Sequence, residues 1–293
     1  MGVRFALRCG AMFGKQRTGS VVCPSCNRLV GASEPRCPFC GRPAPGMFGL
    51  GSSLRKIESA LALWPLVGWI CGALYVAALA TDPQGPFSAT GGFFAPSNDR
   101  LLAFGASGAF PVFRLGRWWT VLSAGWMHAN LLHIGMNLYG LRQIAPAVER
   151  LYGTGRAWII YTVSGAMGFA ASTMSVFVPV LGGRGGVTIG ASAALFGLLG
   201  ALLHYSRRGG SRALGQMVWT WAVANLAFGL LFPGIDNWAH IGGFLTGWLL
   251  SYWLDPLRQE RIDHLIAGVL CLLASAGAVV WSLVSWQGLG PPG

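Results

Sequence analysis

The sequence predicts an all-α polytopic membrane protein, a bundle of seven transmembrane helices with a small cysteine-rich module ahead of it. Three observations predict this. Of its 293 residues 53% are hydrophobic and only 10% charged, whereas a soluble domain carries about 25% charged residues. Seven apolar windows approach the roughly 20 residues that cross a hydrocarbon core. Five of the seven cysteines lie before residue 41. The expected organisation is an N-terminal tail (1–22), the cysteine module (23–41), a linker (42–56), the membrane domain (57–286) and a C-terminal tail (287–293).

No targeting segment is expected in the tail. The first apolar window starts too late, and runs too long, for a cleaved signal peptide, and Ala6 breaks the myristoylation pattern. In the module, "CPSC" and "CPFCG" supply Cys23, Cys26, Cys37 and Cys40, two Cys-x-x-Cys pairs separated by ten residues. Each pair presents two thiolates to one tetrahedral ion, and the short spacer lets the pairs face each other. So small a unit has almost no core, so a structural zinc ion would supply most of its folding free energy. The alternative is two disulfides. The basic flanks place the segment in the reducing cytoplasm, where disulfides are rare, which favours a closed zinc-ribbon with all four ligands cysteine. Cys9 has no assigned role, and Cys71 and Cys271 read as small core hydrophobes. "GRPAPGMFGLGSS" reads as the linker to the membrane.

The apolar windows are Ala60–Ala80, Trp119–Leu141, Ala157–Pro179, Ala191–Tyr205, Leu214–Phe232, Trp238–Leu254 and Leu265–Trp286. The fourth is too short to span unless the chain enters the membrane in non-helical form, which is tolerable only beside protein or a water-filled cavity. A net charge of +12 suggests nucleic acid in a soluble protein. Here the basic residues instead gather on alternate sides of the spans. Lys15, Arg17, Arg28, Arg36, Arg42, Arg55 and Lys56 precede the first. Arg142, Arg150 and Arg156 follow the second, Arg207, Arg208 and Arg212 the fourth, Arg258 and Arg261 the sixth. The opposite loops carry fewer for their length: Arg100, Arg114, Arg117 and Arg184. This bias places the N-terminus in the cytoplasm and the C-terminus outside, and argues against nucleic acid as a partner.

Strongly polar side chains in a span are functional suspects, because lipid offers them no partner. The second span opens with "WMHANLLHIGMN", carrying His128, His133 and Asn137; the last two, four apart, share a helix face. The fourth opens with Gly190-Ala191-Ser192-Ala193, and the sixth with "DNWAHIGGFLTG", carrying His240. All three clusters fall at similar depth, toward the outer side. Together they match the parts needed for acyl transfer: nucleophile, general base and oxyanion donors. His240, Gly243 and Gly247 share a stripe that permits close helix approach, and Ser192, Phe196 and Gly200 share another. Phe196 is placed to pack on the imidazole, and Gly190 to expose the serine at a helix start. Taken singly, Ser192 reads as an N-cap, His240 as a histidine paired with Asp236 or Asn237, Asp236 as a helix cap, and Asn137 as a backbone partner. Glu149, at the opposite end of its span, reads as a structural anchor.

From about Phe93 to Gly247 the sequence resembles the rhomboid family of intramembrane serine proteases, and the seventh span resembles that family's six-plus-one layout. The family's pattern of two histidines and an asparagine is matched by His128, His133 and Asn137, and the glutamate twelve residues on by Glu149. Its Gly-x-Ser is matched by Gly190 and Ser192, and its Ala-His-x-x-Gly-x-x-x-Gly by Ala239, His240, Gly243 and Gly247. The resemblance implies a rhomboid-like helical bundle with a Ser192–His240 dyad. His133, Asn137 and the Ser192 amide would be the oxyanion donors, supported by His128, Gly190 and Phe196. It also implies that substrate transmembrane helices are cut near their outer ends in a water-filled cavity, and that the loop over 81–118 lies partly in the outer leaflet. Two positions depart from the family. Ala193 replaces a glycine, and Trp118-Trp119-Thr120 replaces a Trp-Arg pair, with Arg117 on the other side of the tryptophans.

No metal is needed for this chemistry, so zinc is expected in the ribbon alone. The expected partners are transmembrane-helix substrates, the bilayer of the cell membrane, and a cytosolic partner of the ribbon. A substrate helix is expected beside the fifth span and "PGIDN", and "GGRGG" at 182–186 is either an access loop or a plain connector. The rival reading is a catalytically inactive adaptor that binds client helices. A transporter is weaker, since the spans hold no acidic residue at mid-depth.

Overall fold

A computed structural model describes residues 19–23, 26, 28–45, 60–83, 94–178, 186–232, 234–258 and 260–287. Cys9, most of the linker, the C-terminal tail beyond residue 287 and the glycine-rich run through residue 185 lie outside the described residues. The cysteine module opens with a hairpin of β1 (Ser20–Val22) and β2 (Leu29–Gly31), antiparallel with Val21 opposite Val30. Its buried core is small: Val21, Val30, Ala32, Cys23 and Cys37.

Seven helices of 17 residues or more follow among the described residues. In order, α1 is Leu63–Ala80. Two short helices, α2 (Asn98–Phe104) and α3 (Thr120–Ser123), lie in the first long loop. Then come α4 (Leu131–Tyr152), α5 (Thr154–Met174), α6 (Ser192–Arg208), α7 (Arg212–Leu231), α8 (Asn237–Trp253) and α9 (Ile262–Gln287). Six of the seven apolar windows match their helices to within about a turn. The second does not. Its apolar start, "TVLSAGWM", forms α3 and a 3-10 turn at Ala124–Trp126, and α4 begins only at Leu131. Asn130 sets that boundary, since its Oδ1 accepts the His133 amide at 2.8 Å as an N-cap. Ala124, Trp126 and Met127 are buried against protein, so their apolarity marks a core and not a span. His128 consequently precedes the helix.

Four helices combine the length and apolarity to cross a bilayer: α1, α5 with its 3-10 extension to Phe177, α7 and α9. The protein is membrane-embedded. The other three long helices, α4, α6 and α8, are those that carry the polar clusters. α6 lies at the centre, with every residue from Ala193 to His204 buried. A helix apolar on all sides is stable only when surrounded, and α4, α5, α7 and α8 surround it.

Close approach of α6 to α8 is set by glycine. A Cβ at Gly243 would collide with the Ala193 carbonyl, one at Gly247 with the Gly197 carbonyl, and one at Gly200 with the Phe244 carbonyl. These are backbone atoms, which have no rotamer to escape into. At the other end of the bundle, Glu149 Oε1 accepts the Leu63 amide at 2.7 Å and so holds the first turn of α1. Arg156 is buried at the start of α5 rather than free in a loop. Its Nη1 donates to the Asp255 and Arg258 carbonyls at 2.9 and 2.7 Å, tying α5 to the α8–α9 turn.

Gly243→Val is expected to destabilise the bundle by about 1–3 kcal/mol, at the upper end for overpacking because backbone must shift. Gly72→Val in α1, where a Cβ meets nothing within 4 Å, is expected to stay within about 0.5 kcal/mol. Thermal melts of the two variants in one detergent check the contrast; equal losses would mean that the α6–α8 contact is not tight.

Candidate active site

Ser192 is the first residue of α6, but it does not cap the helix. The cap position is Ala191, with no side-chain hydrogen bond, so the hydroxyl is free for another partner. The chain reaches it by an extended segment. β4 (Val187–Thr188) pairs antiparallel with β3 (Ser107–Gly108) of the first long loop. Gly190 then turns into the helix at φ +115°, a conformation open to glycine and rarely to other residues. The Gly190 amide donates to the Ala124 carbonyl at 3.0 Å, fixing the turn to the 3-10 segment.

His240 lies in the first turn of α8 and is buried. Its Nε2 is 2.8 Å from Ser192 Oγ. Its ring stacks on Phe196, with centroids 4.2 Å apart and planes 6° from parallel. No carboxylate orients the imidazole: Nδ1 has no hydrogen-bond partner among the described residues. Asp236 is committed elsewhere, as N-cap of α8 through Oδ1 to the Ala239 amide at 3.0 Å, and through Oδ2 to the Ser172 hydroxyl.

A second set of donors converges on the same turn. His133 Nδ1 accepts the Ala129 amide at 3.3 Å, which leaves the ring proton on Nε2. A Cβ at Gly190 would stand 2.6 Å from that Nε2 and 3.8 Å from Asn137 Nδ2. Both N–H groups therefore face the backbone two residues before the serine, where only a glycine leaves room. Asn137 is held by its bond from Nδ2 to the His133 carbonyl at 2.9 Å. His128 is buried with its ring centroid 5.1 Å from that of His133, and its two nitrogens have no partner among the described residues. The two rings meet edge to face.

The two departures from the family pattern have local partners. The Ala193 methyl points toward α5, where a Cβ at Gly168 would be 3.0 Å from it, and it packs with Ala124, Phe169 and Ala239. It does not separate α6 from α8. Arg117 is buried and donates to the Leu102 carbonyl at 2.6 Å and the Ser282 carbonyl at 2.7 Å, joining the first loop to α9. Thr120 Oγ1 donates to the Arg117 carbonyl at 2.7 Å, so the loop is ordered from the residue preceding the tryptophans.

The four cysteines of the N-terminal module lie together. Cys23 and Cys40 sulfurs are 3.7 Å apart, those of Cys26 and Cys37 3.6 Å, and all four are within 4.8 Å of one another. Four thiolates at about 2.3 Å from a tetrahedral zinc ion stand about 3.8 Å apart, so the sulfurs fit such an ion. None of the four is in a disulfide.

The Rhomboid domain family matches residues 115–256, which contain every residue of the Ser192 site. Rhomboid protease GluP of Bacillus subtilis (strain 168) is 33% identical over 193 residues, 64% of this chain and 36% of that protein. RHOMBOID-like protein 4 of Arabidopsis thaliana is 35% identical over 167 residues, 54% of this chain and 40% of that protein. Inactive RHOMBOID-like protein 8 of the same plant is 30% identical over 196 residues, 57% of this chain and 54% of that protein. The chain thus spans about half the length, or less, of these relatives. Residues 115–256 are thus a rhomboid domain.

Proposed function

We propose that the chain is an intramembrane serine endopeptidase that cleaves transmembrane segments of membrane proteins, with Ser192 as nucleophile and His240 as general base. The observation that carries this reading is the 2.8 Å approach of His240 Nε2 to an uncommitted serine hydroxyl. It lies within the reach required of a nucleophile and its base.

His240 Nε2 takes the proton as Ser192 Oγ attacks the scissile carbonyl. The negative charge that develops on oxygen meets His133 Nε2–H, Asn137 Nδ2–H and the Ser192 amide, which as a first-turn N–H has no partner inside its helix. The imidazolium returns its proton to the leaving amine. Water then attacks the acyl-enzyme, His240 accepts its proton, and the imidazolium returns that proton to Ser192 Oγ as the bond to the acyl carbon breaks and the acid leaves. With no carboxylate on Nδ1, the stacked Phe196 ring has two tasks: it fixes the imidazole plane, and its face attracts the cation that forms. The substrate segment docks beside α7 and the turn before α8, and unwinds at small residues to reach Ser192. The basic loops orient the protein with its N-terminus in the cytoplasm and the site near the outer face of the cell membrane. In the ribbon, Cys23, Cys26, Cys37 and Cys40 hold a structural zinc ion, and hydrolysis does not involve it.

Cleavage of a single-span substrate in proteoliposomes tests the dyad. Wild type is expected to cut, Ser192→Ala and His240→Ala to fall to background, and Asn137→Ala to lose about a hundredfold in rate. Cleavage that survives Ser192→Ala removes the assignment. A wild type that captures client helices and cuts none would favour the adaptor reading instead.

The ribbon is tested by metal content. The purified chain is expected to carry about one zinc ion per four-cysteine site, and Cys37→Ser to lose it, while rates of substrate cleavage change little. Loss of cleavage on zinc removal would place the ribbon in the catalytic cycle.

A further inference from the structure

The turn that joins α6 to α7 lies far from Ser192, at the opposite end of α6. It reads Arg207-Arg208-Gly209-Gly210-Ser211-Arg212. Between the two helix ends is an open hollow of about 330 Å³ lined by Arg207 and Arg212, by Ser206 and Ser211, and by Leu203 and Trp219. Pockets of roughly 300 Å³ and above hold small-molecule ligands, so this one is larger than a water site.

The charge of the lining is one-sided. Of the three arginines in the turn, Arg208 pairs with Asp255 at 3.7 Å. Arg207 and Arg212 have no carboxylate partner among the described residues, and no acidic residue lines the cavity. Two unpaired guanidinium groups around one hollow are a match for a phosphate, which accepts paired N–H donors from each. Ser211 Oγ accepts the Leu214 amide at 3.3 Å, so its own proton is left to donate.

The other wall identifies the carrier of that phosphate. Trp219 is 46% exposed, on a helix of which only 11% of the spanning window is buried in protein. The flank of α7 below the arginines therefore faces acyl chains. Val223, one turn further along the same face and 55% exposed, continues the apolar surface. Arginines at adjoining helix ends mark the headgroup level of a bilayer, with Trp219 two turns further along α7, and a basic pocket between helix ends at that level suits an anionic headgroup.

We propose that this cavity binds the phosphate of an anionic phospholipid, with Arg207 and Arg212 on the headgroup and an acyl chain running down α7 past Trp219. The lipid would brace α7 against α6 at this end of the bundle.

Photolabelling tests it. The full chain is reconstituted in phosphatidylcholine nanodiscs with traces of either phosphatidylglycerol or phosphatidylcholine carrying a diazirine in the acyl chain. The phosphatidylglycerol probe is expected on the peptide from Leu203 to Trp219, with much weaker labelling by the phosphatidylcholine probe. Arg207→Gln with Arg212→Gln is expected to lower the first signal about tenfold or more, as the loss of charge-assisted hydrogen bonds implies. Equal labelling by both probes, label on another peptide, or an undiminished signal in the double variant would overturn the proposal. Displacement by inorganic phosphate would assign the cavity to a solution anion and overturn the lipid. Where the double variant does not fold, the comparison of the two probes on wild type decides alone.

Discussion

Backbone contact between α6 and α8 is the constraint on which the rest depends. Two helices normally pack 8–10 Å apart, a distance set by the side chains between them. Here Gly200, Gly243 and Gly247 remove those side chains, and carbonyls of one helix meet the α-carbons of the other. Without that approach a serine on one helix and a histidine on its neighbour would be separated by a layer of methyl groups. With it, Ser192 and His240 are in hydrogen-bond contact with no loop or metal to pull them together. Lipid adds little to such an association, because acyl chains are as apolar as leucine; packing and interhelical hydrogen bonds hold it.

The same economy of space governs the oxyanion side. Polar groups at membrane depth are costly unless they have partners or line a cavity. His133 and Asn137 meet this partly through each other, since one Asn137 proton is tied to the His133 carbonyl and His133 Nδ1 to the Ala129 amide. The N–H groups that remain face Gly190, whose missing side chain is the space they face. The extended segment that carries Gly190 is irregular backbone inside a membrane protein. It is satisfied by β3 and by the Ala124 carbonyl, both from the loop that precedes α4. That loop is in turn fixed to α9 by Arg117. Elements distant in sequence thus hold one turn.

What the sequence made legible follows this logic. Six helices were readable because their apolar runs face lipid or fill a core of the same length. The start of α4 was not, because apolarity does not distinguish residues buried in protein from residues facing acyl chains, and "TVLSAGWM" is the former. Ser192, His240, His133 and Asn137 stood out in the sequence because each is an expensive choice at its depth, and Phe196 because it lies one helical turn from Ser192. The four cysteines were readable from spacing alone. Arg117 and Arg156 were not readable as buried. In the sequence they are two more basic loop residues, and only the fold shows that backbone carbonyls from distant turns surround them.

Ala193 depends on a residue distant in the sequence as much as on its neighbours. A methyl beside the serine is harmful only if it faces α8 or the bound segment. At the first turn of α6 the side chain of residue 193 points away from that of Ser192, toward α5. There the opposing residue is Gly168, which itself could not carry a Cβ without striking the Ala239 carbonyl and the Ala193 methyl. The interface therefore has room for one methyl between these two positions, and it lies on α6. A motif confined to the residues around Ser192 cannot record that space, since the glycine that leaves it is more than 20 residues earlier in the chain. The Ala239 carbonyl requires a glycine at 168 whatever stands at 193, and the space this leaves between α5, α6 and α8 takes the Ala193 methyl.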